Sequence, residues 1–101
     1  MDDLVEFELI NSLFDLYGNL LTYVQKHLVE QYYVYNLSLA EIAEEDGISR
    51  TAVSDALKKS IAKLKKYEDN LHIVDKSRKI KSLLNDIDGN EDVVKKIKEV
   101  L

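Results

Sequence analysis

Apolar side chains recur every three or four positions along most of this chain, which is the period of an amphipathic α-helix rather than of a strand. A first stripe runs from Leu4 to Leu21, and later stripes occupy about residues 23–34, 39–46, 50–67, 75–87 and 91–101. Proline is absent and glycine occurs only three times, so the breaks between helices must come from capping residues and from those glycines. The pattern predicts an all-α fold, a helical bundle of one domain spanning residues 1–101.

Two segments have the form of a capping box, in which a hydroxyl and a side chain three residues later satisfy free amides of the first turn. They are Thr22 with Gln25 and Ser38 with Glu41. Ser49 is a third predicted N-cap. It precedes a helix whose apolar positions continue to about Tyr67, and Asp75 is the predicted cap of the helix after that.

Residues 38–66 meet the requirements of a helix-turn-helix, in which two short helices cross steeply through a turn of three or four residues. Ala43 supplies the small side chain that a close crossing needs, and Gly47 supplies the positive φ of the turn. We expect Ile48 to fill the space under the turn and the next helix to return to the core through Val53 and Leu57. A helical hairpin with a glycine turn and no binding role has a similar pattern, and remains an alternative.

In a helix-turn-helix the second helix enters the major groove, and its first outward positions contact base edges and phosphates. Arg50 has the donors to pair with guanine or to clamp a phosphate. Asp55 is discordant, because it can accept from a cytosine amino group but an acid in this place more often repels phosphate. The predicted DNA-binding residues are Ser49, Arg50, Thr51, Ser54, Asp55, Lys58 and Lys59.

The formal net charge of −5 hides a strong asymmetry along the chain. Residues 1–49 carry ten acids against one lysine, residues 50–81 carry ten basic residues against four acids, and residues 82–101 carry five acids against three lysines. Such blocks form either two solvated surfaces that attract each other or a basic surface held toward phosphates. The basic block coincides with the predicted recognition helix, which favours the second interpretation.

Several stretches together resemble the YlxM family of small DNA-binding helix-turn-helix proteins over about residues 10–75. They are Ser12-Leu13-Phe14-Asp15-Leu16-Tyr17, Leu20-Leu21-Thr22, Ser38-Leu39-Ala40-Glu41-Ile42-Ala43-Glu44-Glu45 and Ile48-Ser49-Arg50-Thr51-Ala52-Val53. The family is itself similar to region 4 of bacterial sigma factors. The resemblance implies a bacterial cytosolic, all-helical, dimeric protein with a role linked to the signal recognition particle pathway. The chain departs from the family at Tyr23-Val24, where a proline is common, and at Asp55.

Other classes of function find little support in the residues. Cysteine is absent, and His27 and His72 are far apart without a ligand-type partner one helical turn away, so we expect no metal site. No acid is paired with a nucleophile or a phosphate-binding loop in a catalytic pattern, so we expect neither an enzyme nor a cofactor. No apolar run approaches the ~18 residues of a membrane span, and the start of the chain lacks a basic signal region, so we expect a cytoplasmic protein without membrane insertion.

The roles of two groups of side chains each have two interpretations. The tyrosine-rich run at residues 32–35 is either part of the core or a stacking platform for bases, and we favour the core. The C-terminal helical extension, residues 75–101, ends in a short apolar stripe that needs a partner, which is its own core or a second copy. We expect a homodimer through the first helix or this C-terminal segment.

The leading hypothesis is therefore a helix-turn-helix regulator that binds double-stranded DNA. Its rival is a protein-interaction module that keeps the helix-turn-helix as a scaffold and docks its acidic N-terminal half on a basic component of the protein-targeting machinery.

Overall fold

The computed structural model describes residues 3–101, which form six α-helices and no strand. Met1 and Asp2, at the start of the predicted domain, lie outside the described residues. The all-α prediction is confirmed. The helices are α1 (Asp3–Tyr17), α2 (Tyr23–Val29), α3 (Leu39–Asp46), α4 (Arg50–Leu71), α5 (Ile73–Asn85) and α6 (Glu91–Val100). No helix of the described residues is long and apolar enough to cross a membrane.

The core forms where α1, α2 and α3 pack around α4. α4 has 22 residues, and therefore spans about 33 Å at the usual rise per residue. It buries one face along its length because its apolar positions repeat every three or four residues. The most deeply buried members of the core are Ile10, Leu13, Tyr17, Val29, Ile42, Val53 and Leu64.

The predicted caps form at the starts of α2, α3 and α4, and the first two are capping boxes. Thr22 Oγ1 accepts from the Gln25 amide at 3.2 Å while the Gln25 side chain accepts from the Thr22 amide at 3.1 Å. Ser38 and Glu41 make the same reciprocal pair at 3.1 Å in both directions. These bonds satisfy amides that a helix start leaves without partners, and so they define where α2 and α3 begin.

The second helical segment contains a feature that its apolar pattern did not predict. α2 changes into a π-helical turn over Glu30–Val34, and the bonds that close it include one of 2.9 Å from the Tyr35 amide to the Glu30 carbonyl oxygen. Tyr32 and Tyr33 are half-buried against the core, with ring centroids 4.9 Å apart in an edge arrangement. Tyr35 is exposed, so the preference for a core role holds for two of the three tyrosines of this run.

The predicted boundary after α4 was wrong by several residues. α4 continues to Leu71, and α5 begins at Ile73 rather than after a cap at Asp75. The reason is a left-handed residue, His72 at φ +56°, which ends one helix and starts the next without a side-chain cap of its own.

The Glu68 carboxylate holds this elbow between α4 and α5. It accepts from the Tyr17 hydroxyl at 2.6 Å and from the amides of Val74 at 3.0 Å and Asp75 at 3.1 Å. One acid on α4 thus joins α1 to the first turn of α5 and serves as that helix's N-terminal acceptor. Burial raises the pKa of Glu68, but the hydrogen bonds that it accepts prevail and hold its pKa below the ordinary value.

Candidate nucleic-acid interface

The helix-turn-helix is built from α3, a turn at residues 47–49, and α4. Gly47 adopts φ +67°, a conformation that costs little only without a Cβ. The Ile48 amide then donates to the Ala43 carbonyl oxygen at 3.1 Å. Ser49 closes the turn, since its Oγ accepts from the Ala52 amide at 3.0 Å and caps α4. The predicted turn and cap are both present.

The two helices meet through the side chains that the sequence predicted for the core, with one exception. Val53 is fully buried, Leu57 is nearly so, and Ala43 is half-buried against the core. Ile48 does not fill the space under the turn, because 45% of it is exposed. Ile42 on α3 and Val53 on α4 are both fully buried without it, so the turn needs no side chain beneath it.

The predicted DNA-binding residues lie together at the start of α4, on or beside its outward face. Within residues 3–101, none of their charged side chains has an ion-pair partner within 4.0 Å. Ser54 is half-buried, and Ser49 has its oxygen engaged as the cap. The exposed members are Ser49, Arg50, Thr51, Asp55, Lys58 and Lys59.

The basic block does not form one continuous surface, because its later lysines turn toward the acidic half of the chain. Lys65 Nζ lies 2.7 Å from Glu6 Oε1 on α1, and Lys63 Nζ lies 3.4 Å from Gln25 Oε1 on α2. The Lys65–Glu6 ion pair belongs to the interpretation in which the charge blocks attract each other, whereas Lys63 only hydrogen-bonds the neutral amide of Gln25. Lys58 and Lys59, which are unpaired within residues 3–101 and lie nearer the start of α4, fit the second interpretation, a basic surface held toward phosphates. The two interpretations therefore apply to different parts of the same helix.

Three of the four acids of α3 accept hydrogen bonds from within the protein, although all four are exposed. Glu41 accepts from the Ser38 amide in the capping box. Glu45 Oε2 and Asp46 Oδ1 both accept from Gln31 Nε2, at 3.3 and 3.1 Å. These hydrogen bonds fix where the three carboxylates point. Because all four remain exposed, the acids of α3 still oppose phosphate binding beside the turn.

Gln31 itself was not predicted by the sequence reasoning. It lies in the π-helical turn, is 3% exposed, and joins that turn to the end of α3 next to the helix-turn-helix loop. Its Oε1 has no hydrogen-bond partner among the described residues. A polar residue within an apolar run is the one signal that the sequence offers, and it does not identify the partners on α3.

The arrangement at the start of α4 suits a phosphate backbone with limited base contact. Arg50, Lys58 and Lys59 are three exposed cations in the first half of α4, and Thr51 adds an exposed hydroxyl donor. Asp55 lies one turn after Thr51 and one turn before Lys59, so it reduces the positive potential locally. Elsewhere, the described residues hold no group of three His, Cys, Asp or Glu side chains close enough to share a metal ion.

Comparison with known proteins agrees with this geometry. A family model described as "Putative helix-turn-helix protein, YlxM / p13 like" matches residues 5–101. This chain belongs to that family. The match covers both the helix-turn-helix and the C-terminal helices, and it confirms the resemblance found in the sequence.

Bacterial relatives carry the name UPF0122 protein. One from Desulforamulus reducens is 43% identical over 90 residues, which cover 85% of this chain and 77% of the relative. One from Bacillus mycoides is 38% identical over 99 residues, covering 91% and 90%. One from Symbiobacterium thermophilum is 44% identical over 78 residues, covering 77% and 73%. The family resemblance thus extends over most of the length of each relative.

Proposed function

We propose that this protein is a DNA-binding regulator whose start of α4 contacts double-stranded DNA. The observation that carries the proposal is the group of Arg50, Thr51, Lys58 and Lys59, exposed and without ion-pair partners among the described residues, at the outward start of a capped helix-turn-helix. Lysine and arginine that neutralise phosphates supply most of the sequence-independent affinity for DNA. Membership of a helix-turn-helix family supports the same function.

The acidic half of the chain limits how strong this binding is. With a net charge of −5 the protein as a whole repels DNA, so only the local field at the start of α4 is favourable. We expect binding that is modest in affinity and steeply dependent on salt. A homodimer strengthens it by presenting two recognition helices to half-sites about 34 Å apart, one turn of the duplex.

The proposal is tested by fluorescence anisotropy with a labelled duplex at low salt. Replacing Arg50 and Lys58 together by alanine is expected to weaken binding about tenfold or more, since one good arginine contact is worth about 1–3 kcal/mol. The slope of log K against log salt is expected to fall by about 0.9 for each phosphate that the variant no longer neutralises.

The matched control is Arg78→Ala with Lys81→Ala, which removes the same two charges from exposed positions on α5. We expect this control to retain affinity within about twofold, because a distant exposed charge acts only through the screened long-range field. Undetectable duplex binding at low salt contradicts the proposal. Equal losses of affinity in both variants contradict the assignment to α4.

A second candidate function has a specific observation in its favour. Glu8 and Asp15 are exposed on α1 and have no ion-pair partner within 4.0 Å among residues 3–101. In this function the helix-turn-helix is a scaffold, and α1 docks on a basic surface of a protein-targeting component such as one of the signal recognition particle pathway. Pull-down from nuclease-treated bacterial lysate tests it. Glu8→Lys with Asp15→Lys is expected to abolish capture of that component, whereas the Arg50 and Lys58 variant is expected to retain it.

A further inference from the structure

An open cleft of about 370 Å³ lies between α1 and α5, and its size falls within the roughly 300–1,000 Å³ of small-molecule sites in proteins. Leu16 of α1 and Ile73 and Val74 of α5 form its apolar lining. Leu16 and Ile73 are 44% and 43% exposed, so part of this apolar surface is open to a ligand. The Val74 amide donates to Glu68, so the elbow fixes one end of the cleft.

The α5 side of the cleft is rich in groups that bind anions. Ser77, Arg78 and Lys81 line it, and their spacing places them on one side of the helix. Within residues 3–101, neither cation has an ion-pair partner within 4.0 Å and the Ser77 hydroxyl makes no hydrogen bond. A guanidinium, an ammonium and a hydroxyl together suit the oxygens of a phosphate group.

The α1 side of the cleft carries the opposite charge at Asp15. This exposed carboxylate also has no ion-pair partner within 4.0 Å in the described part of the chain. It can accept a hydrogen bond from a hydroxyl or amino group, but it repels a second phosphate. The cleft therefore disfavours a polyanion such as DNA and favours a small molecule that has one phosphate and a hydrogen-bond donor away from it.

We propose that this cleft binds a nucleoside monophosphate. Its phosphate carries a charge of about −1.5 to −2 at neutral pH, and contacts Ser77, Arg78 and Lys81. Two cations without partners match this dianion better than they match a single carboxylate. The base packs on the apolar lining, which a sugar phosphate leaves uncovered, and a ribose hydroxyl donates to Asp15. This site is separate from the start of α4 and does not depend on DNA binding there.

An NMR titration of the full chain with adenosine monophosphate tests the proposal, with adenosine and inorganic phosphate as partial ligands. Adenosine monophosphate is expected to shift amides of residues 12–16 and 73–81 and to bind about tenfold or more tightly than either partial ligand. Adenosine that binds as tightly overturns the phosphate contacts, and inorganic phosphate that binds as tightly overturns the nucleoside contacts. Shifts confined to residues 49–59 overturn the assignment to the cleft.

Replacing the two cations of the cleft gives a second test. Arg78→Ala with Lys81→Ala is expected to weaken binding of adenosine monophosphate about tenfold or more. The matched control, Lys76→Ala with Lys79→Ala, removes two charges from exposed positions on α5 that do not line the cleft. We expect it to retain affinity within about twofold. Unchanged affinity in the first variant, or equal losses in both, overturns the proposal.

Asp15→Ala gives a readout that the loss of a purely structural side chain does not give. It removes an acceptor for the ribose and a charge that repels phosphate. We therefore expect it to weaken binding of adenosine monophosphate about threefold and to strengthen binding of inorganic phosphate. Equal changes for the two ligands overturn the role of Asp15. No binding of adenosine monophosphate by the wild type at millimolar concentration overturns the site itself.

Discussion

Two parts of this molecule start from the same kind of sequence pattern and reach different degrees of burial. In α1–α4 the apolar stripes face one another, and Ile10, Val29, Val53 and Leu64 are fully buried. In the C-terminal arm, defined here as α5 and α6, only Leu84 is buried. An amphipathic period therefore predicts that a helix packs against a partner, but it does not predict whether that partner lies in the same chain.

The two parts also differ in how their helices begin. α2, α3 and α4 each start at a hydroxyl side chain that bonds an amide of the first turn. α5 and α6 start after left-handed residues, His72 and Asn90, that make no side-chain cap. α5 therefore depends on a group outside its own helix, the Glu68 carboxylate of α4.

The largest expected difference between the two parts is in the cost of removing a leucine. Leu64→Ala is expected to lower the free energy of unfolding by about 2–5 kcal/mol, because it removes a fully buried side chain and leaves a cavity. Leu83→Ala removes a side chain that is 68% exposed in the arm. We expect it to change stability by less than about 0.5 kcal/mol.

Urea denaturation of both variants, at a protein concentration below that of any dimer, measures these costs. If the two leucine variants lose the same stability, the arm is packed as tightly as the core, and the difference in burial described between the two parts is then wrong.

A smaller difference in global stability is expected between alanine variants of the two glycines with positive φ. Gly47 and Gly89 adopt φ +67° and +79°, and an added Cβ meets no atom within 4 Å at either position. Alanine therefore costs only backbone strain, about 1–2 kcal/mol in the left-handed region. Gly47→Ala is expected to lower global stability by that amount because the turn belongs to the core unit.

Gly89→Ala is expected to lower global stability less, since α6 can separate locally before the core unfolds. Thermal unfolding followed by circular dichroism, with both variants at the same concentration, distinguishes the two positions. A larger decrease in stability for Gly89 than for Gly47 contradicts local separation of α6.

The effect expected at the elbow is local and depends on pH. The pKa of Glu68 is lower in the folded protein than its ordinary value of 4.5. Its stabilisation is therefore fully present above that value and is lost as the pH falls through the folded-state pKa. Burial and the bond to Glu68 raise the pKa of Tyr17 above 10.0, so its contribution is lost only as the pH rises beyond that range.

Amide hydrogen exchange at Val74 and Asp75 reports directly on the elbow, since both amides donate to Glu68. Glu68→Ala is expected to speed their exchange about tenfold at neutral pH, which corresponds to about 1.4 kcal/mol for the missing hydrogen bonds. Tyr17→Phe keeps the ring and removes one bond, so we expect a smaller acceleration. Unchanged exchange in Glu68→Ala means that the carboxylate does not hold the elbow.

Local features of this fold follow from the sequence because they depend on residues close together in the chain. The capping pairs Thr22 with Gln25 and Ser38 with Glu41 are three residues apart, and the turn at Gly47 needs only one flexible backbone position. The period of the apolar positions also predicted Val53 and Leu57 on the core face of α4. The prediction was wrong for Ile48, whose position depends on how completely the neighbouring helices fill the space.

The remaining features depend on contacts between distant residues. Tyr17 and Glu68 are 51 positions apart, and Gln31 meets Asp46 across 15. No pattern around Glu68 distinguishes it from any exposed acid near a helix end. The basic block was also divided by long-range contacts, since Lys65 pairs with Glu6 across 59 positions. The residues proposed to bind DNA remain a prediction that binding must test.

The most direct test of the central proposal is the NMR response of the backbone amides when duplex DNA is added at low salt. We predict that the largest changes in chemical shift fall within residues 49–59, at the start of α4, and that they fade as salt is raised. The arm and the outer face of α1 are expected to change little. No response at low salt, or changes confined to α1 or the arm, contradicts the account.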